Sequence, residues 1–465
     1  MIKIKHTKHL RLPVRASAAY TLVAALSKAA GLLFTPVFTR LTTPWEYGGF
    51  TLYLSALGLC TVACTALCSG GSMYKAYSVQ PSDIKSITAS AVGLSAFFAF
   101  PLTVAVAAFR NFIGLPLALI PPLFIQLICD GAISARLAEL RYKYSYKSAA
   151  AITLASSIGT PIVSLILLRA LSGEAARVAG LLSVSVLLAA PTIFDAVKRS
   201  SFKLDALRIC AKFSLPMLPA ALTGAVISQA DKLILSAYLG KEMLASYAVA
   251  HSIGIGLTFI TGSLSAALHP WLIRKLARGE DEIIKRTVTD IATTLGALTV
   301  LVVLIAPEVL SILTPRAYSS ALPAILPTAL AVLPIFALSM LSMASIHASK
   351  PSYYAISCTV GAAVNIISNV LLIPRISYLG AGLSLLISYV SSNITCYLLL
   401  RKTDDASKLS PAWLVLCFAL TSLLGILGAA LYPYPVARLV LSAVPILVLI
   451  PVFRSVLGYV LESKS

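Results

Sequence analysis

Fourteen apolar stretches separated by short polar gaps run the length of this chain. They fall near 14–38, 49–69, 86–108, 113–135, 149–168, 176–196, 213–239, 245–268, 290–313, 322–346, 354–373, 380–400, 412–431 and 437–460. An α-helix rises about 1.5 Å per residue, so roughly 20 apolar residues cross the ~30 Å hydrocarbon core of a bilayer. The pattern predicts an all-α, polytopic membrane protein with about 14 transmembrane helices.

The polar gaps carry a second pattern. Of the 37 Lys and Arg, 27 lie at the two termini and in the even-numbered connections, and eight lie in the odd-numbered ones; Lys28 and Lys232 fall inside spans. Cations concentrate on the cytoplasmic side of a membrane, so both termini are expected to be cytoplasmic. A missed or invented span would invert the alternation beyond it, and no inversion occurs. With 58% hydrophobic and 12% charged residues, the chain has too few charges to coat a soluble surface. The net charge of +20 is dispersed along the inner rim, where anionic headgroups attract it, and calls for no nucleic acid. The basic N-terminus precedes an apolar run too long for a signal peptide, so the run is expected to be the first span. Cys60, Cys64 and Cys68 recur at i, i+4, i+8 on one helix face. No His or acid joins them, so they are expected to pack helices rather than hold a metal.

The spans group into an N-terminal bundle of helices 1–6 (1–197), a C-terminal bundle of helices 7–12 (198–405) and an appended pair, helices 13 and 14 (406–465). A faint duplication supports the grouping. Span 1 leaves the membrane through Leu41-Thr42-Thr43-Pro44-Trp45-Glu46-Tyr47-Gly48, and span 7 through Leu239-Gly240-Lys241-Glu242-Met243-Leu244-Ala245-Ser246-Tyr247. Two halves in the same orientation would form a parallel repeat with a substrate site between them. The charged segment from Arg274 to Arg286 is expected to form either a short surface helix or a solvated linker. Prolines at or within many spans, among them Pro36, Pro101, Pro161, Pro191, Pro327 and Pro334, suit bent helices.

No phosphate loop, HExxH, paired-Cys or GxSxG pattern occurs, so no catalytic residue, metal site or cofactor is expected, and ATP does not drive the protein directly. Chemistry then rests on charges inside the membrane. Lys28 lies roughly 18 Å from either end of span 1, too far to reach water by extending its stem. It shares a face with Ser17, Thr21, Gly31 and Thr35, a small polar stripe suited to a wet cavity that binds an anion. A structural pair with a buried acid is the alternative. Asp231 and Lys232 occupy a comparable place in span 7. Asp231 suits a counter-charge or a cation or proton site, and Lys232 a cavity cation. Asp130, near the inner end of span 4, either pairs with Arg136 or holds an ion, and Asp195 is placed to pair with Lys198 and Arg199. His251 in span 8 either titrates or is simply hydrogen-bonded. Asn365 and Asn369 share a face of span 11 and are expected to bond to another helix. Arg40 either receives an anion at the outer mouth or anchors its helix to headgroups. Trp45, Trp271 and Trp413 fall at expected interfaces.

Pro36-Val37-Phe38-Thr39-Arg40-Leu41-Thr42-Thr43-Pro44-Trp45-Glu46-Tyr47-Gly48 resembles the opening of polysaccharide transporters (the O-antigen, capsule and exopolysaccharide flippases) in the multidrug/oligosaccharidyl-lipid/polysaccharide exporter superfamily. Ser214-Leu215-Pro216-Met217-Leu218-Pro219, Asp231-Lys232 and Ser246-Tyr247-Ala248-Val249 resemble the start of that family's second half, and Arg375-Ile376-Ser377-Tyr378-Leu379-Gly380-Ala381-Gly382 the beginning of its span 12. The resemblance implies two six-helix lobes around a cationic cavity, with Lys28, Arg40 and Lys232 as cavity cations. It also implies alternating access in a bacterial cytoplasmic membrane. The implied partners are an undecaprenyl-diphosphate-linked oligosaccharide, membrane lipids and a polymerase or other assembly proteins. Central arginines that some relatives carry have no clear counterpart. Alternatives are a lipid II flippase, a cation-coupled multidrug exporter, and a non-transporting scaffold of a polysaccharide synthesis complex.

Overall fold

The computed structural model describes residues 33–68, 70–79, 83–199, 204–215, 218–401, 403, 408–409 and 411–462, with isolated positions between 23 and 31. The described residues are helical and include no strand. Ten helices are long and apolar enough to cross a membrane. Two of these, Ala221–Ser265 and Pro351–Leu400, are about twice the length one crossing needs. Each is broken inside: the first at Gly240 (φ 81°, ψ 178°), the second at Ile376 and Ser377. A positive φ of that kind is open to glycine without a Cβ penalty, so Gly240 is where span 7 ends and span 8 begins. Each long helix is thus two crossings. The helices at 33–41 and Pro435–Glu462 fall where the first and fourteenth spans were expected. The protein is a multi-pass membrane protein.

The chain divides into two compact units, Met1–Ala225 and Val226–Ser465. The first contains α1 (33–41), α2 (Pro44–Thr65), α3 (Gly70–Val79), α4 (Ile84–Ile113), α5 (Ile120–Tyr142), α6 (Tyr146–Leu167), α7 (Gly173–Arg199), α8 (Leu204–Ser214) and the start of α9 (Leu218–Gly254). Its core packs Met73, Tyr77, Ile87, Ala91, Ala132 and Cys210 from α3, α4, α5 and α8. The cysteine face of α2 and of the 3-10 turn that follows it, Ala66–Cys68, closes on α4: the thiols of Cys64 and Cys68 lie 3.6 Å from the carbonyls of Ser95 and Ala91. Small side chains here bring helices close, as their spacing predicted. The same device appears at α6 and α7, where a Cβ on Gly180 would fall 2.7 Å from the Ser164 backbone nitrogen.

The second unit continues α9 and adds α10 (Thr258–Arg278), α11 (Asp281–Leu304), α12 (Ala306–Leu313), α13 (Leu322–Leu330), α14 (Val332–His347), α15 (Pro351–Leu400), α16 (Pro411–Ala430) and α17 (Pro435–Glu462). Leu272, Ile284, Ile291, Leu295, Phe336 and Leu341 centre its core. The appended helices α16 and α17 both pack on α11.

Two spans lie away from their expected positions. Span 4 was expected at 113–135 but occupies Leu117–Tyr142. Gly114 in the left-handed region ends α4, Pro116 and a 3-10 turn at Leu117–Leu119 open the next helix, and Glu139 draws Arg136 and Lys143 into its last turn. Span 9 was expected at 290–313 but runs Asp281–Leu304. Its charged start is helical because Asp281 and Glu282 oppose the positive end of the helix dipole. The segment 274–286 is therefore neither a separate surface helix nor a linker. It is the end of α10 and the beginning of α11, joined through Gly279 at φ 68°. Lys275 closes the joint on Glu280.

Candidate functional site

The segment Thr43–Phe50 builds one side of the candidate site. Thr43 caps α2 in a reciprocal box: the Glu46 amide donates to Thr43 Oγ1 (3.3 Å) and the Thr43 amide to Glu46 Oε2 (2.9 Å). The other oxygen of Glu46 accepts the Gly173 amide at 2.7 Å, which pins the first turn of α2 to the first turn of α7. One turn further along α7, the Arg177 guanidinium lies over three rings. Its carbon is 3.9 Å from the centroid of Phe50, and 4.6 Å from those of Tyr47 and Phe38. Such stacking favours Arg, whose planar cation is weakly hydrated.

Arg177 lines a cavity of about 430 Å³ within the N-terminal unit. The size is that of a small-ligand site. Its lining includes aromatic rings, Phe34, Phe38, Tyr47 and Phe50, and hydroxyls, Ser156, Ser157, Thr160 and Ser164 of α6. Gln126, Asp130 and Ser185 close the polar side. Gln126 Nε2 bridges Asp130 Oδ1 and Ser185 Oγ, each at 2.8 Å, and Thr61 Oγ1 donates to Asp130 Oδ2 at 3.2 Å. Asp130 does not pair with Arg136. Six helical positions separate them, which turns them about 120° apart and sets them roughly 9 Å apart along the axis, and Arg136 reaches Glu139 at 2.8 Å instead. Asp195 lines a separate small pocket with Lys85, Arg136 and Glu139.

Lys28 lies outside the described residues. Gly31 and Thr35, which the sequence places on its face, both line the cavity. Arg40 is exposed at the end of α1, where Nη1 donates to the Pro36 carbonyl (3.1 Å). It is not among the cavity's lining residues. Arg177 was counted in the sequence only as one cation of an odd-numbered gap. Phe38, Tyr47 and Phe50 come together under it only once α7 is packed on α2, so no local sequence pattern marks it.

The second unit holds a compact ionic cluster. Asp231 is fully buried. It accepts the Tyr247 hydroxyl at Oδ2 (2.6 Å), and Lys232 Nζ lies 3.5 Å from Oδ1. Lys232 Nζ also donates to the Ser228 carbonyl at 2.5 Å. His251 Nδ1 is 3.3 Å from the Tyr247 oxygen and 3.8 Å from Asp231 Oδ2. The sequence singled out Asp231, Lys232 and His251 separately. The turn at Gly240 folds the two halves of α9 together and makes them one group, with Tyr247 as the member that the sequence did not single out. In α15, Asn369 donates to Asn365 (3.0 Å), which reaches Ser388 beyond the break at Ile376 and Ser377 (3.5 Å).

Packed membrane helices, an internal polar cavity and buried charges define a multi-pass membrane protein with candidate binding groups inside its helix bundles. The chain belongs to the polysaccharide biosynthesis protein family, whose model matches residues 37–323. No curated protein sequence matches it. Among solved structures it is similar to the lipid II flippase MurJ in an inward closed conformation (TM-score 0.63, 14% identity, covering 91% of this chain and 98% of that one). It is also similar to a multidrug resistance MATE family transporter of the MOP superfamily, facing inward (0.57, 13%, 81% and 96%). A third is a MOP superfamily transporter from Pyrococcus furiosus, described as having a binding pocket of reversed polarity (0.51, 15%, 86% and 96%). At these identities the likeness is one of fold.

Proposed function

We propose that this protein moves an undecaprenyl-diphosphate-linked oligosaccharide from the cytoplasmic to the outer leaflet of a bacterial inner membrane by alternating access, for surface polysaccharide assembly. The observation that carries the reading is the cavity of the N-terminal unit, about 430 Å³, which the Arg177 cation lines together with serine and threonine hydroxyls. Hydroxyl-rich walls match sugars, aromatic rings match their apolar faces, and a fixed guanidinium matches phosphate. Lys28, Arg40 and Lys232 are proposed as further contacts for the diphosphate, and both termini as cytoplasmic. Moving two negative charges out of a negative interior is favourable by about 4–5 kcal/mol at ~100 mV, so no ATP site is needed. The prenyl tail stays in lipid while the headgroup crosses.

The test is leaflet-resolved appearance of an undecaprenyl-diphosphate oligosaccharide in proteoliposomes, with wild type and Arg177→Ala side by side. Protein-dependent translocation that falls at least about tenfold in the variant is expected. No translocation of the native glycan would overturn the reading. A second reading, cation-coupled drug export, is favoured by one observation, the Asp130 carboxylate on the same cavity. Arg177 opposes it, since a fixed cation there repels a cationic drug.

A further inference from the structure

Asp231 is one carboxylate with two cationic suitors. In a low-dielectric interior, a buried charge must be paired. Lys232, whose side chain is 12% exposed, pairs with it at 3.5 Å. His251 reaches the same carboxylate on its other oxygen, directly at 3.8 Å and through the Tyr247 hydroxyl.

The hydrogen-bond inventory fixes the protonation logic. Tyr247 has a single hydroxyl proton, and it goes to Asp231 at 2.6 Å. The 3.3 Å contact between Tyr247 and His251 then needs a proton on His251 Nδ1. Neutral His251 therefore leaves Nε2 as its acceptor, and Nε2 makes no hydrogen bond among the described residues. His251 keeps 8% of its surface exposed, and protonation at Nε2 requires that this opening lead to water. Adding that proton breaks no bond in the chain from His251 through Tyr247 to Asp231. It does place a second positive charge against one carboxylate.

Among the described residues, no further acid is recorded against this cluster. Asp231 and Lys232 face His251 from the first half of α9. Tyr389 of α15 lies within electrostatic reach of Asp231. α13, on which Gly254 packs beside Thr328, has no titratable residue. α11, which touches the turn at Ile255–Leu257, carries its last charged residue at Asp290.

We propose that protonation of His251 and release of Lys232 from Asp231 to an anionic headgroup are one linked event, so that the protein takes up a proton as it binds a diphosphate. The proton goes from water to Nε2, imidazolium replaces ammonium as the partner of Asp231, and Lys232 Nζ turns from Asp231 and the Ser228 carbonyl to the phosphate oxygens. Of the two cations, Lys232 is the one freed because it has the longer, more flexible stem. Linkage is reciprocal: acid strengthens anion binding, and the anion raises the proton affinity of His251. This inference rests on the reading of the cargo as a lipid diphosphate.

The test is calorimetric titration of the full-length protein in detergent with farnesyl-diphospho-N-acetylglucosamine, a diester with no ionisable phosphate proton near neutrality. Buffers of different ionisation enthalpy report the protons taken up. Up to one proton per anion is expected, with affinity rising by up to about tenfold per pH unit on acidification. In His251→Gln the anion still binds, but proton uptake disappears. In Asp231→Asn, Lys232 is unrestrained and binding loses its pH dependence. Binding without proton uptake, or uptake that survives His251→Gln, overturns the linkage while leaving the flippase reading intact. Absence of binding, in wild type that is folded by thermal melt, overturns the diphosphate reading and the linkage with it.

Discussion

Arg438 and Glu308 meet fork to fork: Nη1 and Nη2 of the arginine lie 2.7 Å from Oε2 and Oε1 of the glutamate. Nη1 also donates to the Leu304 carbonyl at 2.7 Å, so one side chain closes the C-terminal end of α11 and holds the start of α17 against α12. Arg438 is almost wholly buried, while the Glu308 side chain is 53% exposed. The pair anchors α17 to α11 and α12 within the second unit.

Glu308→Gln should therefore lower the thermal midpoint of the purified protein, by an amount equivalent to about 1 kcal/mol because the glutamate is half solvated. The hydrogen bonds from Arg438 hold the Glu308 carboxyl below its ordinary value. A depressed carboxylate stabilises the fold fully above its unfolded value of about 4.3, and that contribution is lost as pH falls through the folded value. The gap between wild type and variant should stay constant from pH 8 to about 5 and close in stronger acid. A gap that widens in acid would contradict the pairing.

Gly180 touches the backbone of Ser164 where α6 and α7 cross. Gly180→Ala must push the two helices apart, because a Cβ there meets backbone rather than a movable side-chain tip. The expected cost is about 1–3 kcal/mol, the usual range for overpacking. Gly224→Ala is the control, since a Cβ there has open space around it. Thermal melts of the two variants should separate clearly; equal melts would mean that the α6–α7 contact is looser than described.

The spans were legible in the sequence because the bilayer imposes one length and one composition on every crossing. The ends of spans 4 and 9 were not, because charged residues can extend a helix into the headgroups when they pair within it, as Glu139 does with Arg136 and Lys143. The site was legible only in parts. Asp231, Lys232 and His251 stood out as polar residues in apolar runs, but the sequence separation between Asp231 and His251 concealed that a turn at Gly240 closes them into one cluster. Arg177 was hidden for the opposite reason. It lies near a helix start, where an arginine is unremarkable in sequence, and only the pinning of Gly173 by Glu46 directs it onto the rings of α1 and α2.

Arg177 should not tolerate lysine. Arg177→Lys keeps the charge but loses the flat face that lies on Phe38, Tyr47 and Phe50, and it loses two-pronged phosphate recognition. Translocation in proteoliposomes should drop about tenfold, with a thermal midpoint near that of wild type. A lysine variant with full activity would show that charge alone suffices, and would remove the aromatic cage from the mechanism.

Lys28 is expected from the sequence to be a cavity cation. Gly31 and Thr35 of its helix face line the cavity, and a mid-membrane cation there is proposed to contact the diphosphate. Lys28→Ala should insert normally and lose most export of the polymer in cells. Full export from a normally inserted variant would take Lys28 out of the binding site.

Asp130 separates the two transport readings. Its oxygens accept from Gln126 and Thr61, and Gln126 is itself held by Ser185. Asp130→Asn preserves the shape and keeps an oxygen for Gln126, while the new amide can donate to the Thr61 hydroxyl, so the expected stability cost is only about 1 kcal/mol. Its effect on transport depends on cargo charge. A cation-coupled exporter loses the one acidic cavity-lining group among the described residues and should stop. A flippase for an anionic headgroup loses a repulsive charge on the cavity that Arg177 also lines, and should bind the diphosphate as well as or better than wild type. Translocation of a diphosphate-linked glycan by Asp130→Asn at half the wild-type rate or more, measured with the sugar on the outer leaflet, is the outcome expected here. Loss of transport with the fold intact would shift the assignment to cation coupling at this carboxylate.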